Sequence, residues 1–308
     1  MNQSMKRSFV VSLILLIICI AACRTKFPVQ TISYSTDNAS PLKEGRKLTI
    51  SICGPCHYDP TTRKLTGKQQ FDLPKIAGKV YSRNITQDPE KGIATYTDGE
   101  LAYLIRTGIA KNGRLMPYMQ RPNLSDADLR AIILFLHSDD ELVTPSKAAP
   151  PYTHYTAFGK FGINHYPGPL KYPDHVIARP EPRADNTAYG KYLVDNIGCY
   201  HCHSKSFLKV DELEPEKSKG YMAGGNKLKD EHGKVVRSSN ITFHPTTGIG
   251  TWNESDFKRA LQDGFSKDGS PLSPIMPRYK ALSDTDISAI YAYLRTIPQI
   301  NNKTYFGN

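Results

Sequence analysis

The sequence CYHCH at residues 199–203, and its earlier counterpart CGPCH at residues 53–57, share the pattern C-x-x-C-H. This pattern is the attachment signature of a c-type haem. Two thiols three positions apart can each add to one vinyl group of the haem, and the histidine that follows then lies beneath the iron. A structural zinc site normally gathers four ligands and does not require that trailing histidine. The two copies predict two haems attached at Cys53, Cys56, Cys199 and Cys202, with His57 and His203 as iron ligands.

Composition excludes several other classes of protein. The 308 residues include 40 Lys and Arg against 29 Asp and Glu, which gives a formal charge of +11. That excess suits acidic redox partners or anionic headgroups, and equally an ordinary solvated surface. No run of five basic residues points to nucleic acid. Besides the four motif cysteines there are only Cys19 and Cys23, so no cysteine is left in the body of the chain to act as a nucleophile or form a disulfide.

Residues 1–23 have the features of an export signal. Two basic residues precede an apolar stretch of about twelve residues at 9–20, which is too short for a confident membrane span. The sequence Ile20-Ala21-Ala22-Cys23 resembles the bacterial lipobox, which implies cleavage before Cys23 and lipidation of its sulfur. A plain signal peptide cut nearby is the alternative. The expected product is a membrane lipoprotein on the periplasmic side, and Arg24 after the cysteine favours the outer membrane over the inner.

From residue 53 onward the chain repeats itself. The block N-I-T…P…G-I-x-T-aromatic occupies residues 84–96 and returns at 240–252, an offset of 156. Met116-Pro117 is matched with Met276-Pro277, and Leu-Ser-Asp at 124–126 with the same tripeptide at 282–284. This pairing requires about four extra residues near 270–274 in the second copy and two fewer after its methionine. The repeat predicts two domains that each enclose one haem.

Each copy predicts three helices joined by long loops. Residues 42–51 and 186–197 form the helices that lead into the motifs, and Thr97 and Asn253 begin the second helix with capping boxes. Ser125 and Ser283 open the last helix. Its apolar stripe at 3–4 spacing predicts a core face, made of Leu129, Ile132, Ile133 and Leu136 in one copy and Ile287, Ile290, Tyr291 and Leu294 in the other.

The segment between the copies, residues 139–188, contains eight prolines together with many Tyr and His residues. Proline at that density argues against helix or regular sheet. The aromatic residues argue against a free linker. We therefore expect an extended strap that lies across both domains.

Methionine is the candidate for the second axial ligand. Met116 and Met276 each precede a proline shortly before the last helix. A thioether in that place suits electron transfer, because Met/His ligation raises the haem potential. Core packing is the usual role of a single methionine, but the repetition favours ligation. Met119 is the rival in the first copy, and Met222 is a weaker one.

Other polar residues have less specific roles. His201, between the two haem cysteines, is expected to face solvent, and His154, His165 and His175 in the linker are expected at the surface or near propionates. Arg83, Asn84 and Asn240 lie on loops that either reach propionates or cap the loops themselves.

These blocks resemble the dihaem cytochrome c family, which includes the cytochrome c subunits of membrane-associated alcohol, aldehyde and gluconate dehydrogenases. The resemblance covers about residues 40–138 and 186–298, although those subunits generally carry three haems and this chain has two motifs. It implies an all-α fold of two tandem cytochrome c domains joined by a Pro-rich extended linker. The expected organisation is a lipoprotein signal peptide (1–23), a flexible tether (24–41), domain 1 (42–140), the linker (141–185), domain 2 (186–300) and a tail (301–308).

The leading hypothesis is a lipid-anchored dihaem c-type cytochrome that relays single electrons for a periplasmic dehydrogenase or a terminal oxidase. The alternative is a dihaem enzyme, either peroxidase-like or thiosulfate-oxidising. Such an enzyme needs one open haem or one displaceable ligand, and the two Met-Pro elements argue against both. A haem-containing redox sensor would need a signalling domain, for which two haem domains leave no room.

Overall fold

The computed structural model of the chain describes residues 26–34, 42–73, 75–165 and 168–304. The predicted signal peptide and Cys23 lie outside the described residues, as does the end of the predicted tail. The described part is rich in helix and contains few strands. None of the helices within it is long and apolar enough to cross a membrane.

In the first half, helix α1 runs straight into the haem motif. Helix α1 (Leu42–Leu48) continues through a π-helical turn (Thr49–Cys53) into the short helix α2 (Gly54–His57). The rest of this half comprises a 3₁₀ turn (Lys75–Ala77), strand β1 (Gly78–Lys79), helix α3 (Asp98–Thr107), a 3₁₀ turn (Pro117–Met119) and helix α4 (Asp126–Leu136).

The second half repeats the order of the helices, with different turns and strands between them. Helix α6 (Asn186–Ile197) leads through Gly198 into helix α7 (Cys199–His203). After it come 3₁₀ turns (Phe207–Lys209 and Pro215–Lys217), a hairpin of β3 (Lys227–Lys229) and β4 (Val235–Arg237), and helices α8 (Glu254–Gln262) and α9 (Asp284–Leu294). The helices predicted from the repeat are therefore present, and α6 has the predicted bounds.

The predicted helix starts are confirmed by their hydrogen bonds. The Thr97 side chain accepts a hydrogen bond from the Glu100 amide, and the Glu100 carboxylate accepts one from the Thr97 amide. These two bonds form a capping box. Asn253 makes the same box with Asp256, and Ser125 and Ser283 cap α4 and α9. The predicted apolar stripes face the core, except that Tyr291 is only half-buried.

A glycine lies at the main helix crossing of each half. A Cβ on Gly45 of α1 would come within 2.0 Å of the Ala131 carbonyl oxygen in α4, and one on Gly190 of α6 within 1.9 Å of the Ala289 oxygen in α9. These backbones can approach so closely only without a side chain at the crossing. The crossing holds the helix that leads into each haem motif against the last helix of its half.

One continuous cluster of buried side chains contains residues of both halves. The Tyr192 hydroxyl in the second half donates to Asp128 of the first over 2.6 Å, and Asp128 is 1% exposed. Conversely, Lys47 of the first half forms a salt bridge with Asp286 of the second half at 3.1 Å. Each half thus contributes a side chain from its incoming helix to an aspartate in the first turn of the other half's last helix.

The prediction of no helix in the linker is wrong for one part of it. Strand β2 (His154–Tyr155) pairs antiparallel with β1, and helix α5 (Ala157–His165) follows directly. The eight prolines are unevenly spread, and residues 152–166 contain none, so a short helix is allowed there. Outside β2 and α5, the described residues of the segment form turns and irregular structure until α6 begins. Two side chains of the first half hold it by hydrogen bonds: Asn84 donates to the Ser146 carbonyl and Gln120 donates to the Gly168 carbonyl.

Candidate haem-attachment sites

The two motif histidines are held in the same way. The Nδ1 atom of His57 lies 2.6 Å from the Arg83 carbonyl oxygen, and Nδ1 of His203 lies 2.8 Å from the Ser239 carbonyl oxygen. A carbonyl oxygen only accepts, so Nδ1 carries the proton and Nε2 is left with its lone pair. Desolvation lowers the pKa of His57 to about 4 and lowers the pKa of His203 as well. Both imidazoles are therefore neutral at pH 7, the form that binds a metal.

Each histidine is also fixed through its own backbone. The His57 carbonyl accepts from the Gly67 amide at 2.8 Å, and the His203 carbonyl accepts from the Gly224 amide at 2.6 Å. Gly67 and Gly224 have φ values of +85° and +69°, and an added Cβ would come within 2.4 Å of the chain just before the N-I-T block. The loop after each motif is thus hydrogen-bonded to the histidine and packed closely against the chain that supplies the orienting carbonyl.

Sequence reasoning did not identify these carbonyl partners. Arg83 and Ser239 occupy equivalent places immediately before the N-I-T blocks, but they share no side-chain chemistry. The only available signal was the constant offset of 156 between them.

None of the four motif cysteines forms a disulfide in the described part of the chain. Desolvation raises the pKa of Cys53 and of Cys199 to about 12. Cys53 and Cys199 also pack against the shared core. Each motif forms a helical turn, as the spacing of its thiols predicts.

The structure changes the alignment of the candidate methionines. Met116 donates its amide to Gly108, whereas Leu272 donates to the equivalent Gly264. The two halves are in register again at Arg121 and Tyr279. Arg121 comes five residues after Met116, whereas Tyr279 comes seven residues after Leu272, so the second half has two extra residues in this turn. The net difference of two agrees with the predicted one, but its position differs. Backbone register therefore aligns Met116 with Leu272.

Met276 lies within this longer turn. It is half-buried and packs against the shared core, as Cys199 does. The corresponding stretch of the first half begins at Pro117 and ends at Met119. The Met119 amide donates to the Met116 carbonyl three residues earlier, and the Met276 amide donates to the Ser273 carbonyl in the same way. Both Met116 and Met119 are half-buried.

Other candidates have structural roles. Met222 is fully buried, and its carbonyl accepts from the Ile241 amide just as the Leu65 carbonyl accepts from Ile85, so it occupies the place of a core leucine. The amide group of Asn84 donates to the carbonyls of Ser146 and Ala148 and accepts from Thr86, and Asn240 makes matching bonds. Of the two roles open for these asparagines, loop capping is the one observed.

His201 does not point freely into solvent. Its Nε2 atom lies 2.9 Å from Glu212 Oε1, and the buried Tyr200 hydroxyl donates to Glu212 Oε2 over 2.6 Å. The motif of the second half is thus tied to the loop that follows it. His154 and His175 are exposed, as expected of surface residues. Arg83 stacks on the Tyr152 ring at 4.3 Å and donates to Pro150.

The two motifs lie close to each other across the contact between the halves. The π-helical turn that ends at Cys53 packs against α6, which leads into Cys199. Arg121 Nε donates to the Asn196 carbonyl over 2.9 Å, and this guanidinium lowers the pKa of Cys53 against the larger effect of desolvation. Desolvation raises the pKa of Cys202, and Asp72 and Cys56 of the first half add to that increase. One arginine therefore lies beside both candidate sites.

The donor set fits a covalently bound haem. Each site offers two free thiols on one helical turn and one neutral imidazole whose Nδ1 proton is held by a carbonyl, an arrangement that orients a metal-bound histidine. The helix-rich fold is consistent with the cytochrome c fold. Fold and site are together consistent with a protein of the cytochrome c class.

The known relatives of the chain agree with this class. It is 30% identical over 273 residues to the fructose dehydrogenase cytochrome subunit of Gluconobacter japonicus. The aligned region covers 83% of this chain and 52% of the relative. It is 29% identical to the cytochrome c subunit of a quinone alcohol dehydrogenase of Gluconobacter oxydans, over 84% of this chain and 55% of the relative. A dihaem cytochrome c-type protein of Cereibacter sphaeroides is 26% identical, over 80% of this chain and 82% of the relative.

The chain is thus a relative of dehydrogenase cytochrome c subunits and of a dihaem cytochrome c, as the motifs predicted. It spans about half the length of the dehydrogenase subunits that it matches. No family model matches the chain. Its relatives are cytochromes c, which implies covalently bound haem c and a role in electron transfer.

Proposed function

We propose that this chain is a lipid-anchored dihaem cytochrome c that relays single electrons from a periplasmic dehydrogenase. Bound haem supplies the one-electron chemistry. Cys53 and Cys56 would attach the first haem and Cys199 and Cys202 the second. The observation that carries this proposal is the matched pair of neutral histidines, each with Nδ1 held by a carbonyl and Nε2 free to bind iron.

The chain's own residues keep each site ready for electron transfer. The carbonyls of Arg83 and Ser239 fix the tautomer and the ring orientation of the two histidines, so little reorganisation is needed when the oxidation state changes. Met276 is the proposed second ligand in the second half. Met116 is the proposed ligand in the first half, and Met119, at the other end of the same turn, is the alternative.

A dehydrogenase is the best-supported partner. The relatives named above include cytochrome subunits of fructose and alcohol dehydrogenases, and the excess of basic residues suits an acidic docking face. A terminal oxidase is the natural electron acceptor. The dihaem enzyme remains the alternative, since it requires only one of the two sites to be open or displaceable.

Carbon monoxide binding separates the relay from the enzyme. If a methionine ligates each iron, the wild-type protein should be low-spin in both oxidation states and should bind neither carbon monoxide nor peroxide at neutral pH. Visible spectra of the oxidised and reduced protein, recorded with and without each ligand, measure this directly. Rapid binding of carbon monoxide at one reduced haem would contradict the relay and favour the peroxidase-like alternative.

The lipid anchor is tested at Cys23. Cys23→Ser removes the sulfur that would carry the diacylglycerol, so the protein should move from the membrane fraction to the soluble periplasm with both haems retained. Cys19→Ser is the matched control, because Cys19 would be lost with the signal peptide, and it should leave the fractionation unchanged. A Cys23→Ser protein that stays with the membranes would contradict the lipobox interpretation.

A further inference from the structure

Helix α5 carries two phenylalanines whose side chains are largely exposed. A Cβ on Gly159 would lie 2.4 Å from the Ala77 carbonyl oxygen, so the helix rests on the 3₁₀ turn of residues 75–77 through a glycine. Phe158 and Phe161, three positions apart, are 60% and 59% exposed. Ile76 in the underlying turn is 53% exposed. We call these three side chains the α5 face.

The segment that contains α5 is basic. From residue 142 to residue 173 the chain contains three lysines and no acidic residue. Lys160, between the two phenylalanines, and Lys79, in the strand that pairs with β2, are both exposed. Exposed aromatic side chains with lysines beside them are typical of protein segments that lie in the interface of an anionic membrane.

The start of the described chain lies near the same region. The Phe27 amide donates to the Gly113 carbonyl over 2.8 Å. Phe27 and Tyr155, two residues before α5, pack against one cluster formed by Tyr103, Ile109 and Leu115. Cys23 is only three residues before Lys26, a span of at most about 11 Å. A lipid attached at Cys23 would therefore bring this side of the molecule to the bilayer.

We propose that the α5 face is a second membrane contact, seated among the headgroups of an anionic phospholipid bilayer. The phenylalanines and Ile76 enter the interface, while Lys79 and Lys160 extend their charged ends to the phosphates. The inference rests on the proposed lipid anchor, which holds the chain at the membrane. The α5 face would then fix how the first haem site is oriented above the surface.

Vesicle partitioning tests this contact. All proteins carry Cys23→Ser and are purified with haem, so their N-termini are identical. The parent should partition onto phosphatidylcholine vesicles containing phosphatidylglycerol more strongly than onto phosphatidylcholine alone, and salt should weaken the binding. Phe158→Asp with Phe161→Asp should lower partitioning about tenfold or more. Lys160→Gln should reduce the dependence on phosphatidylglycerol and salt while leaving the binding to phosphatidylcholine unchanged.

The control is Leu208→Asp, which places the same charge at a 58% exposed apolar residue of the second half; it should bind as the parent does. The inference is overturned if the double variant binds vesicles as tightly as the parent, or if Leu208→Asp weakens binding equally. It is also overturned if the double variant loses only its electron uptake from a dehydrogenase, because the face would then bind a protein. A failed anchor appears separately, as membrane-bound Cys23→Ser in fractionated cells.

Discussion

Replacing Cys199 and Cys202 with alanine should lower covalent haem from two to one per chain and should also loosen the first half of the molecule. The repeat alone suggests that each half encloses its own haem and folds around it. The structure, however, has one core that contains residues of both halves. A second half without its haem would lose apolar contact at the end of α6, and α6 supplies Tyr192 to the buried Asp128 of the first half.

Intact mass measures the number of haems, and hydrogen exchange in α1 and α4 measures the response of the first half. We expect faster exchange in both helices. Tyr192→Phe provides the matched control, because it should keep both haems while removing the hydroxyl that donates to the buried Asp128 carboxylate and accepts from the Ser125 amide. Loss of the bond to the carboxylate alone should cost about 1.5–3 kcal/mol in the free energy of unfolding. Unchanged exchange in α1 and α4 of the cysteine variant would show that the halves are independent.

The features that were predicted well from the sequence have local causes. A capping box joins residues three positions apart, so the starts of α3, α4, α8 and α9 could be placed from short patterns at Thr97, Ser125, Asn253 and Ser283. The haem motifs are equally local. Periodicity placed the core faces of α4 and α9 because a buried helix face repeats every three or four residues.

The bonds that orient the histidines could not be predicted in the same way. A backbone carbonyl accepts the Nδ1 proton in both halves, and every residue type carries one, so Arg83 and Ser239 serve equally well. The contacts between Tyr192 and Asp128 and between Lys47 and Asp286 depend on how the halves pack. Helix α5 was missed because proline content was judged over fifty residues, which concealed a proline-free stretch inside them.

The methionine alignment shows a related limit. The dipeptide Met-Pro occurs once in each half, and matching the dipeptides aligned Met116 with Met276. The hydrogen bonds to Gly108 and Gly264 align the chain differently and assign Leu272 to the place of Met116. A loop of changed length can bring a different residue to the same point in space, so Met119 is a candidate ligand of the first haem beside Met116.

Met276→Ala should remove about half of the weak thioether-to-iron charge-transfer band at the red edge of the visible spectrum of the oxidised protein. It should also lower the midpoint potential of one haem, because a thioether favours ferrous iron, and allow carbon monoxide to bind at that haem. In the first half, one of Met116→Leu and Met119→Leu should remove the other half of the band, and the other should leave it intact.

Met222→Leu is the control for these methionine variants. Met222 is fully buried at the position that Leu65 holds in the first half, and this change keeps the side-chain volume, so it should cost less than about 1.5 kcal/mol of stability. The band and both potentials should stay as in the wild type. If Met276→Ala leaves the band at full strength, Met276 is a packing residue and the second haem takes its axial ligand from elsewhere.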